Sequence, residues 1–195
     1  MDTRKGRRRG DTLETAILDA AWEELQEAGY SSFTVEAVAK RAGTSRPVLA
    51  RRWPGRADLA VAALAHYNTC NPVEMPDLGN VRDELILVLQ KLSEKGASTV
   101  MKVVLTMNDY FAETNSSLAD LRARLAGENK FEQVLRRGVE RGELDQSRLT
   151  ARISALPLDL LRHDVIMTRK AVSKEMIIEI VDTIFLPLAA VKAAD

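Results

Sequence analysis

The chain reads as all-α, and three observations predict it. Apolar residues recur at three- and four-residue steps along most of the length. No apolar–polar alternation runs long enough to make a strand. Glycines, prolines and short polar capping residues fall between the periodic stretches, where helices should begin and end. About nine helices are expected: a small N-terminal set that includes two very short ones, and a larger C-terminal set.

Residues 1–10 hold five Arg and Lys and two Gly and read as a flexible basic arm. Asp11 and Glu14 fit a capping box, followed by Leu13, Ile17, Ala21, Leu25 and Ala28 at helical spacing, with Gly29 as the stop. Thr34 should cap a short helix carrying Val35, Val38 and Ala39, which Gly43 breaks. Ser45 should cap the next, with Pro47 accommodated in its first turn, and Pro54-Gly55 ends it. A fourth helix runs from about Arg56 to Asn68.

Residues 71–80, with two Pro, one Gly and few apolar side chains, form the best domain boundary. Beyond it, helices are expected over 81–95, 99–113, 117–141 and 146–167, followed by a last one capped by Ser173. Val81, Leu85, Val88 and Leu92 make one stripe, and Val100, Val104, Met107 and Phe111 another. Ser117 opens the long third helix, which Arg141-Gly142 closes. Asp145 reads as the cap of the fourth, and Ile177, Ile180, Ile184, Leu188 and Val191 lie in phase along the last. The organisation is therefore a basic arm (1–10), an N-terminal domain (11–70) and a helical C-terminal domain (71–195).

Bulk composition is that of a globular protein, with 46% hydrophobic and 29% charged residues and no formal net charge. The charge is uneven: residues 1–60 hold 11 Lys and Arg against 9 Asp and Glu, with the cations gathered at 4–9 and 40–56. One cysteine, Cys70, excludes an intramolecular disulfide and a Cys-based zinc site. The apolar runs are far shorter than a membrane span, and no apolar segment follows the N-terminal charges as in a secretory signal. A cytoplasmic protein is expected.

The stretch Phe33–Leu59 carries the functional argument. It predicts two short helices joined at Gly43, a residue that tolerates the backbone angle a tight turn needs. A helix entering the major groove of DNA wants small or polar side chains at its start and cations beside them. Thr44, Ser45 and Arg46 meet that requirement, followed by Pro47, and Val48 is suited to a thymine methyl. Arg51, Arg52 and Arg56 are placed for phosphates, and Thr34 offers a hydroxyl at a helix N-terminus for another. A run of cations is more commonly just a solvated face. That alternative leaves unexplained the very short helices, the glycine turn and the lack of any acid from Lys40 to Ala57.

With these residues in view, 13–67 resembles the DNA-binding domain of the TetR family of bacterial transcriptional regulators. The likeness rests on Gly29-Tyr30, Phe33-Thr34-Val35, the run Val38-Ala39-Lys40-Arg41-Ala42-Gly43-Thr44-Ser45, then Leu49, Trp53-Pro54 and Arg56-Ala57-Asp58-Leu59. The resemblance implies a recognition helix over about Arg46–Trp53 and a phosphate contact from Arg56 at the start of the fourth helix. It also implies a C-terminal domain that dimerises and binds a small effector. The chain departs from the family where it has Ala50 instead of a tyrosine that touches the DNA backbone, and Arg52 instead of a histidine or tyrosine.

By the same analogy the helices from 81 to 167 enclose an effector pocket. Its candidate lining is Leu85, Leu89, Met101, Leu105, Asn108, Phe111, Leu125, Phe131, Leu156, Leu160, His163 and Met167, with Asn108 and His163 as polar anchors. The excess of aliphatics and Met points to a hydrophobic effector. In the last helix Met176, Ile177, Ile180, Val181, Ile184, Phe185 and Leu188 exceed what one packing face requires, which fits a four-helix interface between two copies. No cofactor or metal site is expected. An enzyme is disfavoured because only two histidines occur, far apart, with no phosphate loop or nucleophile motif. A helical interaction module that does not bind DNA is the other class the sequence admits.

Deleting residues 1–10 should weaken DNA binding and flatten its dependence on salt, as measured by fluorescence anisotropy across a salt series. An unchanged slope would reject a role for the arm.

Overall fold

A computed structural model of the chain describes residues 3–95, 101–125 and 130–191, with side chains described from 12 onward and, after the first gap, from 103. The described residues are helical and contain no strand, only an antiparallel bridge between Leu144 and Ala190. The chain divides into two compact units. One is Met1–Pro72 with Lys102–Gly127; the other is Val73–Met101 with Glu128–Asp195.

The first unit begins with α1 (Thr3–Ser32). The helix runs through residues 3–10, where composition had suggested a flexible arm, because Arg and Lys are good helix formers and an isolated Gly costs only about 1 kcal/mol. Asp11 is consequently inside the helix and not its cap. Gly29 turns the backbone at φ +67°, so the regular helix stops where expected. Next come α2 (Val35–Arg41), α3 (Arg46–Ala50) and α4 (Arg56–Cys70). The core joins Ile17, Ala21, Trp22 and Leu25 of α1 to Leu59, Ala60, Ala63 and Leu64 of α4. Trp22 stacks on Tyr67 with ring centroids 4.2 Å apart.

Three further helices complete this unit: α6 (Met101–Leu105), α7 (Asn108–Thr114) and α8 (Leu118–Leu125). The single helix expected over 99–113 is divided by a turn at Thr106-Met107, where the Thr106 hydroxyl donates to the Val103 carbonyl at 2.7 Å. The helix expected over 117–141 appears as α8 and α9, and the joint at 126–129 lies outside the described residues. Ser117 and Asp120 cap α8 reciprocally, each side chain accepting from the other's backbone N–H.

The second unit holds α5 (Val81–Lys95), α9 (Lys130–Glu140), α10 (Ala151–Thr168), α11 (Lys174–Ile178) and α12 (Leu186–Ala189). A π-helical stretch, Glu179–Phe185, joins α11 to α12 in one continuous rod. This wider turn makes steps of four residues point the same way, so Ile177, Val181, Phe185 and Ala189 are buried while Leu188 is exposed; Val191, beyond the end of α12, is exposed too. Those buried residues pack with Leu85, Val88 and Leu89 of α5, Phe131 and Val134 of α9, and Leu158 and Leu161 of α10. Thr150, not Asp145, caps α10, accepting from Ile153 N–H at 3.3 Å; Asp145 organises the preceding turn by accepting from Ser147.

Glu84 is fully buried, and its carboxylate is neutralised by Arg137 at 2.9 Å and Arg141 at 3.2 Å. It also accepts from the Leu78 N–H at 3.1 Å, which fixes the segment leading into α5.

Gly138 of α9 lies against Val81 of α5. A Cβ there would lie 2.7 Å from Val81 Cγ2 and 2.9 Å from Leu144 Cδ1, both in the core. Gly138→Ala should cost about 1–3 kcal/mol through overpacking and lower the thermal midpoint by several degrees, measured by circular dichroism.

Candidate nucleic-acid interface

The reading element is built from backbone chemistry upward. Thr34 sits in an extended conformation and its hydroxyl accepts from the Ala37 N–H at 3.1 Å, which starts α2. The end of α2 is closed by a pair of bonds: Thr44 N–H to the Ala39 carbonyl at 2.9 Å and Gly43 N–H to the Lys40 carbonyl at 3.2 Å. This closure requires a left-handed residue, and Gly43 supplies it at φ +64°. Ser45 then occupies the position before α3 with an extended backbone, but its side chain makes no capping bond, so the hydroxyl is left facing outward as a donor and acceptor.

The third helix is shorter than the recognition segment read from the sequence. It spans Arg46–Ala50, and Arg51 and Arg52 lie in the turn that follows, closed by Arg52 and Trp53 N–H groups donating to Leu49 at 2.9 Å each. Leu49 is fully buried and anchors α3. Ser45, Arg46, Pro47, Ala50, Arg51 and Arg52 are exposed, and Thr44 and Val48 half-buried, so the side chains expected to face a groove share the solvent-facing surface of one small module.

Most of its cations already have carboxylate partners. Arg46 pairs with Glu36 at 3.0 Å, with both side chains widely exposed. Arg52 reaches Glu14 of α1 at 2.6 Å. Arg41 is held by Glu23, Glu24 and Glu27 along one face of α1; these bonds raise the affinity of its guanidinium for its proton, and the Arg41 hydrogen bond pulls the Glu27 carboxyl below its usual range. Among the described residues, Arg51 makes no ion pair.

Arg56, expected to hold a phosphate, is engaged by Glu113 of α7. Its Nε and Nη2 donate to Glu113 Oε2 at 2.9 and 2.8 Å, and its guanidinium lies 4.7 Å from the centre of the Tyr30 ring. The buried Tyr30 hydroxyl donates to the same carboxylate oxygen at 3.0 Å. Burial, then this bond to Glu113, push the Tyr30 hydroxyl pKa upward, while the Arg56 bond lowers that of Glu113. Nothing in the sequence pointed to Glu113, because its partners lie 57 and 83 residues away.

The twelve residues expected to line an effector pocket are not brought together within either unit. Leu105, Asn108, Phe111 and Leu125 belong to the first, with Asn108 and Leu105 exposed. In the second, Leu85, Leu89 and Phe131 are packed core, Leu156 and Leu160 half-buried, and His163 exposed. Met167 is 70% exposed, and Ile166, Met176, Leu188 and Val191 are also exposed apolar side chains of this unit. The Met101 side chain lies outside the described residues.

A helix, a glycine-closed turn and a short exposed second helix, braced by α1 and α4, define a helix-turn-helix DNA-binding module. Comparison with known proteins places it more closely. The profile for bacterial regulatory proteins of the tetR family matches residues 17–63, and that for the tetracyclin repressor-like C-terminal domain matches 75–184. An HTH-type transcriptional regulator of Mycobacterium tuberculosis is 30% identical over 182 residues, spanning 89% of this chain and 86% of its own. The DNA-binding transcriptional repressor TetR of Mycobacteroides abscessus is 33% identical over 138 residues, spanning 69% and 72%. Among solved structures, the flavonoid-responsive regulator FrrA aligns with a TM-score of 0.63 at 18% identity, covering 94% of this chain and all of that one (100%). A TetR regulator from Agrobacterium tumefaciens gives 0.61 at 22%, covering 91% and 94%. These two show the shared fold. The chain belongs to the TetR family of helix-turn-helix transcriptional regulators, whose members bind DNA and small-molecule effectors and form dimers. That family is one of regulators and not of enzymes. No helix among the described residues is long and apolar enough to cross a membrane.

Proposed function

We propose that this protein is a homodimeric repressor that a hydrophobic small molecule releases from a two-fold-symmetric operator. The observation that carries the DNA-binding part is the start of α3, where Ser45, Arg46 and Pro47 are exposed between half-buried Thr44 and Val48 while Leu49 anchors the helix in the core. In this reading Thr44 to Val48 contact bases, and Thr34, Arg51, Arg52 and Arg56 contact phosphates. Repression rather than activation is supported by the relative in Mycobacteroides abscessus, which is described as a repressor.

One reader module contacts a half-site, so a symmetric pair at one helical turn of DNA is needed for affinity. The exposed apolar side chains Ile166 and Met167 near the end of α10, Met176 and Leu188 on the last helical rod and Val191 just beyond it support pairing through the last two helices. The sensor and dimerisation roles fall to 71–195, the reader to 11–70, and the basic residues of 1–10 extend the electrostatic contact. The effector site draws on the second unit, where half-buried Leu156 and Leu160 accompany the core residues Leu85, Leu89 and Phe131. FrrA, which shares the fold, is described as flavonoid-responsive, in keeping with an organic small-molecule effector. An effector that binds the DNA-incompetent dimer more tightly shifts the population away from the operator.

Selection of duplexes from a random pool, followed by anisotropy titration, tests DNA recognition. Arg46→Ala should cost about 1–3 kcal/mol on the selected duplex and relax its sequence preference. A pool that yields no preferred sequence, with the dimer intact, would favour a protein-interaction module. On gel filtration the wild-type chain should elute as a dimer and Leu188→Asp as a monomer; a wild-type monomer at micromolar concentration sinks the symmetric reading.

A further inference from the structure

The ion pairs at the start of α4 form a clasp that the sequence does not reveal. Two pairs of opposite polarity hold the first turn of this helix to α7 and α8. Arg56 donates to Glu113 of α7 at 2.9 and 2.8 Å, and Asp58 accepts from Arg124 of α8 at 3.4 Å. Between them lie two buried tyrosines in edge-to-face contact, Tyr30 and Tyr110, with centroids 5.5 Å apart. Each tyrosine hydroxyl engages one pair: Tyr30 donates to Glu113 at 3.0 Å, and Tyr110 accepts from Arg124 at 3.1 Å.

We propose that Glu113 is an intramolecular competitor of the DNA phosphate for Arg56, so that the clasp lowers operator affinity and its opening accompanies binding. The inference rests on the reading of Arg56 as a phosphate contact. A phosphate approaching Arg56 would meet a guanidinium already shared with a carboxylate, and two anions around one cation repel each other. The pair is built for exchange. Arg56 and Glu113 are 33% and 40% exposed, so separating them leaves no buried charge without a partner. The Tyr30 hydroxyl still donates to Glu113 when Arg56 turns outward, and the carboxylate keeps one bond in both states. Arg56 exchanges one anion for another, and the balance between the two is open to anything that moves α7. This differs from the Arg46–Glu36 and Arg52–Glu14 pairs, whose carboxylates lie on α1 and α2, within the reader itself.

Anisotropy titrations with a fluorescent duplex selected by the wild-type chain test the proposal through Glu113→Gln, Arg56→Gln and the double variant. Gln at 113 is neutral yet still accepts from Tyr30. Glu113→Gln should tighten binding about two- to fivefold, the range of an exposed ion pair. Arg56→Gln should weaken binding and lower the salt slope by about one. In the Arg56→Gln background the change at Glu113 should have no effect. If Arg56→Gln leaves affinity and salt slope unchanged, the phosphate reading of Arg56 fails and the competition fails with it. If Arg56→Gln weakens binding but Glu113→Gln weakens it or leaves it unchanged, the phosphate reading stands and the competition is overturned. Glu113→Ala, checked by its helical circular dichroism signal, gives the same readout without the hydrogen bond to Tyr30.

Discussion

A five-residue helix has no stability of its own in water, so everything the DNA-reading surface does depends on how α3 is held. The holding is apolar and local. Leu49 is buried from α3, Val38 and Ala39 from α2, Tyr30 from the end of α1 and Phe33 from the segment after it, all packed in the unit that α1 and α4 support. The Gly43 closure fixes the path between α2 and α3, because its two hydrogen bonds need a left-handed residue at that one position. With backbone path and anchor settled, Ser45, Arg46 and Pro47 are exposed between half-buried Thr44 and Val48, and sequence preference can change at the exposed positions without disturbing the core.

Electrostatics is arranged on top of that scaffold with economy. The reader carries many arginines, yet Arg41, Arg46, Arg52 and Arg56 each lie against at least one carboxylate. Such exposed pairs add little to stability. Their larger consequence is to moderate the field that DNA meets, so that contact with phosphate becomes an exchange of partners. Arg41, gripped by three carboxylates of α1, serves chiefly as a tie between α1 and α2. The second unit uses charge differently. Glu84, buried between Arg137 and Arg141, requires both cations to stay in place and thereby fixes α5 against α9.

What was legible in the sequence shares one property: the partners lie within about one helical turn. Thr34 capping α2, the Gly43 closure, the stop at Gly29, the Ser173 cap and the end at Arg141-Gly142 all follow from bonds spanning a few residues. The errors fall where a local signal had a rival. Asp145 and Thr150 are both good capping residues five apart, and only packing decides which one starts α10. Periodicity carried straight through Thr106, where the chain turns, because a turn between two short helices on the same core keeps the apolar spacing nearly in phase. In the last helix, the π-helical turn moved Leu188 out of the buried stripe, and Val191 lies beyond the helix end at Ala189.

The sequence alone determined the fold class, the reading module and the family, because helix periodicity, caps and a glycine turn are short-range features and the family's motifs lie on them. The tertiary structure decided which cations are already spoken for and which helices accompany the reader. Residues 103–125 pack with α1 and α4 through Tyr110, Glu113 and Arg124, a grouping that no boundary signal in composition marks. Ion pairs between residues 57 and 66 apart depend on how the chain returns in space, and a carboxylate such as Glu113 looks in sequence like any other solvated acid until the fold sets it beside Arg56.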